Sequence, residues 1–79
     1  MILNNTVDLV TYLDSRQGRW VEVQDLRNNN VHFFRASRKG GNSIFHKIIR
    51  WDSEQEDLSY DQVKLMYRDA SWDVISKDP

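Results

Sequence analysis

Two β-rich runs, Val31 to Ser37 and Ser43 to Trp51, flank Arg38-Lys39-Gly40-Gly41-Asn42, and this arrangement constrains the fold more than any other feature of the chain. Paired glycines reach the positive φ angles that a primed turn demands, so the runs are expected to fold back on each other as a hairpin. The turn sets the register: Lys39 opposes Asn42, Ser37 opposes Ile44, Arg35 opposes His46, Phe33 opposes Ile48 and Val31 opposes Arg50. One face then carries Val31, Phe33, Arg35, Ser37, Ile44, His46, Ile48 and Arg50. The other carries His32, Phe34, Ala36, Phe45, Lys47, Ile49 and Trp51. Side chains alternate with period two, so a slip of one residue would exchange the sets. The second set is the more apolar and is expected to pack under helices.

The remaining elements are read from local signals. Val7, Leu9, Val10 and Leu13 recur at helical spacing, which predicts a helix from Thr6 to Gln17 with Asn5 as N-cap, Asp8 in its first turn and Gly18 as its stop. Trp20 to Leu26 reads as a strand with Val21 and Val23 inward, and Arg27-Asn28-Asn29-Asn30 as a turn. Ser59 and Gln62 form a capping box, with Leu58 and Val63 at the two positions of a hydrophobic staple. The helix they start is expected to bury Val63, Met66, Tyr67 and Ala70, and Trp72 to Ser76 is short and alternating enough to add a final strand. The expected fold is therefore a small α+β domain spanning residues 1–79, ordered α-β-β-β-α(-β), with a three-stranded antiparallel meander packed by two helices.

A second topology fits part of this pattern. A helix followed by residues 18–26 also resembles the opening of winged-helix proteins, in which Val31 to Arg38 would form a recognition helix and the later strands a wing. Val21, Val23, Val31, Phe33 and Phe34 argue for extended structure instead.

With 79 residues and no cysteine, the chain has no disulfide framework and no thiolate zinc site or nucleophile. His32 and His46 fall on opposite hairpin faces, so neither a metal nor another cofactor is expected. No apolar run is long enough to span a membrane, and Met1-Ile2-Leu3-Asn4-Asn5 lacks the pattern of a signal peptide, which leads to a cytoplasmic expectation. Neither a G-x-S-x-G elbow nor a phosphate-cradling glycine loop occurs, and the chain is read as non-enzymatic.

Charge carries the functional signal. The net charge is −1, yet residues 27–50 hold Arg27, Arg35, Arg38, Lys39, Lys47 and Arg50 with no acid, a block of +6, and residues 51–79 sum to −5. Cations beside aromatics suit phosphates and unpaired bases. The leading expectation is a small regulatory protein that contacts DNA or RNA through Arg35, Arg38, Lys39, His46, Lys47 and Arg50, with Phe33 available for stacking. The alternative is an inhibitor or adaptor of the kind mobile elements encode. It would bind a basic protein partner through Asp52, Glu54, Glu56 and Asp57, with Trp72 as an exposed anchor. The opposed charge blocks also permit a homodimer.

Overall fold

A computed structural model describes residues 1–48 and 54–76. The elements run β1 (Ile2–Leu3), α1 (Thr6–Asp14), β2 (Val21–Asp25), β3 (Asn30–Lys39), β4 (Asn42–Ile48), β5 (Glu56–Ser59), α2 (Tyr60–Met66) and β6 (Trp72–Val74). The strands form one six-stranded sheet in the order β1-β6-β2-β3-β4-β5, antiparallel throughout. The α+β fold is as expected, and its meander β2-β3-β4 is the middle of a larger sheet.

The hairpin has the register its turn dictates, from Lys39 opposite Asn42 to Phe33 opposite Ile48. The Val31–Arg50 pair lies outside the described residues. Gly40 and Gly41 have φ of 61° and 85°, the conformation for which the glycine pair is needed. Asn29, at φ 61°, makes the β2–β3 turn, and Asn28 and Asn29 both donate their amides to the Asp25 carbonyl. Burial pushes the Asp25 carboxyl up, but the side-chain and backbone hydrogen bonds from Arg27 outweigh it and hold the group below the usual carboxylate value.

The core lies between one sheet face and both helices. Val21, Val23, Phe34, Ala36, Phe45, Leu58, Trp72 and Val74 come from the sheet; Leu9, Val10 and Leu13 from α1; Val63, Tyr67 and Ala70 from α2 and the turn after it. Burying such side chains contributes about 1.5–3 kcal/mol each, which is how a chain without disulfides holds together. Asn5 caps α1 by accepting the Asp8 amide at 2.8 Å, and Ser59 and Gln62 complete the capping box of α2. Thr6 ties three elements together. Its hydroxyl donates to the Tyr67 carbonyl at 2.6 Å and accepts the Trp72 indole N–H at 3.2 Å.

Several expectations are corrected. Residues 31–38 lie in strand β3, which rules out the recognition helix of the winged alternative. The first helix stops at Asp14, short of Gln17, and Gly18 (φ 81°) docks the following loop on β3 through its amide and the Ala36 carbonyl at 2.8 Å. Val7 and Met66 are exposed, not buried. For Met66 the cause is local: α2 ends there, and Asp69 at φ 64° turns the chain toward β6. Two strands are new. Glu56–Ser59 forms an edge strand, β5, and Ile2–Leu3 pairs with β6.

Candidate functional site

Among the cations expected to meet phosphate, Arg38 and Lys39 are exposed at the hairpin tip. Arg35 is half-buried, its guanidinium 5.0 Å from the centroid of the Trp20 ring, within cation–π range. Lys47 is corrected. It lies on the helix-covered face, where its Nζ donates to the Tyr67 hydroxyl at 2.7 Å and stands 3.4 Å from the Glu56 carboxylate. Burial pushes the ammonium pKa down, but the Tyr67 hydroxyl and Glu56 outweigh it, and Lys47 keeps its proton beyond the usual lysine value. It is a buried cation paired within the chain. Arg50 lies outside the described residues.

The fold also brings up cations that the segment sums concealed. Because the Gly18 amide is bonded to Ala36, the loop holding Arg16 and Arg19 runs beside β3 just below the tip. Arg19 is exposed, and Arg16 stacks 3.8 Å over the Tyr12 ring. In the sequence both arginines belong to an acidic N-terminal third. Only the docking contact, made by a glycine with no charge of its own, assigns them to the basic side.

His46 has both ring nitrogens engaged within the chain. On the sheet face away from the helices, Ser37 Oγ is 2.7 Å from His46 Nε2, and His46 Nδ1 is 2.7 Å from Asp57 Oδ1. Gln55 Nε2 donates to the same carboxylate oxygen at 2.9 Å. Three adjacent strands position this row: Asp57 is directly opposite His46, and Ser37 is the diagonal neighbour of His46, since Ser37 pairs with Ile44. Where Nδ1 carries the proton and donates to ionised Asp57, Nε2 is free to accept the serine proton; Gln55 Nε2 also lies 3.0 Å from Nδ1. Hydrogen bonds from His46 and then Gln55 hold the Asp57 carboxyl below its usual value. The little desolvation present opposes them, and the Arg35 charge assists. The hairpin register already puts Ser37 and His46 on one face. Asp57 was expected only as a protein-interface residue; its place opposite His46 depends on the four-residue strand β5, which is too short to show in the sequence.

Among the expected protein-interface residues, Trp72 is fully buried and is corrected from exposed anchor to core. Its indole completes an aromatic cluster with Phe34, Tyr67 and His32, whose ring centroids lie 5.2 to 5.9 Å apart. Glu54, Glu56 and Asp57 are exposed, but Glu56 and Asp57 point back at Lys47 and His46. Asp52 lies outside the described residues. Phe33 is half-buried on the open face.

A groove of about 450 Å³ lies at the end of β4 and β5, lined by Lys39, Asn42, Ser43, Ile44, Ser59, Tyr60 and Asp61. Among the described residues no three histidine, aspartate or glutamate side chains converge as metal ligands, and no helix is long and apolar enough to cross a membrane. Comparison of the chain with protein-family models, curated proteins and solved structures found no match.

Proposed function

We propose that this protein is a small nucleic-acid-contacting factor whose basic hairpin tip and the loop docked beside it meet phosphates. The observation that carries the reading is the bond between the Gly18 amide and the Ala36 carbonyl, which sets exposed Arg19 beside the strand that ends in exposed Arg38 and Lys39. Cations gathered from two segments can displace counterions condensed on a polyanion, and Trp20 beneath Arg35 adds an aromatic plane to the same side. The alternative, a protein-binding acidic surface, has less to draw on. Trp72 is inside, and Glu56 and Asp57 are already engaged by cations or imidazole of their own chain.

Fluorescence anisotropy with labelled single- and double-stranded DNA and RNA, read at low and physiological salt, tests the proposal. Binding is expected to weaken steeply with salt. The double variant R38A/K39A should flatten the slope of log K against log salt by roughly 1 for each phosphate that it no longer neutralises. Absence of binding at low salt to all four nucleic acids would overturn the reading.

A further inference from the structure

We infer that Ser37 is a nucleophilic serine, with His46 as its general base and Asp57 as the residue that positions His46, acting on carboxylic esters at the open face of the sheet. The inference does not rest on nucleic-acid contact, and it departs from the non-catalytic expectation. It stands on a hydrogen-bond chain that takes in three side chains from three strands. The nucleophile–base and base–orienting distances are both 2.7 Å, within the range productive for proton transfer. Nucleophile, base and orienting acid are recognised by such geometry and roles, whatever the fold or chain order. Gln55 fixes the carboxylate at 2.9 Å, so the orienting acid is itself held.

The surroundings fit the same chemistry. The groove near the hairpin tip has Ile44 in its wall, and Ile44 is the residue directly opposite Ser37. Arg35 lies two residues before Ser37 on the same face and directly opposite His46, and its positive charge acts on Asp57. In the reaction, Ser37 Oγ bonds to the ester carbonyl carbon while its proton passes to His46 Nε2. The ester C–O bond then breaks and the alcohol leaves with that proton. Water attacks the acyl-serine, His46 takes the water proton and returns it to Ser37 Oγ, and the carboxylic acid departs. The balance is ester plus water giving acid plus alcohol.

The intact protein treated with a fluorophosphonate probe decides the matter. Ser37 Oγ would bond to phosphorus and expel fluoride, and peptide mapping by mass spectrometry would find the adduct on Ser37 above every other serine. S37A should lose the adduct, and H46Q should slow it by about 10²-fold or more. D57N should also slow it and change the pH profile of labelling, a readout that a merely structural role would not move. The groups around His46 are Asp57 and Gln55 from the β5 side and Arg35 and Ser37 from β3. Hydrolysis of 4-nitrophenyl acetate should follow the same order. No adduct, or adducts spread evenly over the serines, would overturn the inference; so would an H46Q that keeps its native circular dichroism and labels at the wild-type rate. The wild-type adduct map needs no variant, so a misfolded H46Q leaves the question decidable.

Discussion

Thr6 uses one hydroxyl twice, toward the Tyr67 carbonyl and from the Trp72 indole, and it does so in the interior. Replacing it by isosteric valine keeps the volume but leaves the buried Trp72 indole N–H unpaired and the Tyr67 carbonyl with the Ala70 amide alone. T6V is therefore expected to lose about 1–3 kcal/mol in urea unfolding, with an unchanged m-value, while T6S retains most of the stability. His32 is the other residue whose chemistry exceeds its size. It is packed against Phe34, Tyr67 and Trp72, and its Nδ1 has no hydrogen-bond partner among the described residues. Burial, then the nearby Lys47 ammonium, push its pKa below the ordinary histidine value, while Asp25 works weakly the other way. The unfolded chain therefore takes up this proton more readily than the folded one. The stability contributed by neutral His32 is complete above about pH 6.5 and falls as pH drops from there toward the lowered folded value. Urea midpoints measured between about pH 7.5 and 5 should decline in the wild type. H32F, which fills the site without a titrating ring, should flatten that decline.

At the scale of elements, the hairpin turn is the sharpest constraint and the most direct to test. Gly41 holds φ at 85° with open space around its α-carbon, so a larger residue meets backbone strain and no clash. G41V is expected to lower stability by about 1–3 kcal/mol, and G41N, which tolerates the left-handed region, by less; denaturant midpoints of the two variants check the order. This turn, the Asn5 cap and the Ser59–Gln62 box were legible because each is decided by residues within a few positions of one another. Strands β1 and β5 were not, because two and four residues carry too little alternation to announce themselves, and their partners lie elsewhere in the chain. The same deficit hid the candidate site. Ser37 and His46 could be placed on one face from the turn alone, whereas Asp57 joins them only when β5 pairs with β4.

Over the whole molecule, the two charge blocks do not become two poles. The pairing of β4 with β5 lays part of the basic block against part of the acidic one, so that Lys47 meets Glu56 and His46 meets Asp57 across strands. Segregation along the chain is thus partly neutralised in space, and the exposed cations left on the hairpin side, among the described residues, are those of the tip and its docked loop. Summed by segment, the charge of residues 27–50 includes Lys47, which the fold buries against Tyr67 and beside Glu56. The strand order has a further consequence. β6 lies between β1 and β2, and Trp72, the largest fully buried side chain, enters with it. In chain order, β1, α1 and the whole meander precede β6. Until Trp72 has been added, β2 keeps an unpaired edge and the aromatic cluster lacks its largest member. Closing the edge of β2 and completing the core are therefore one event, the arrival of β6.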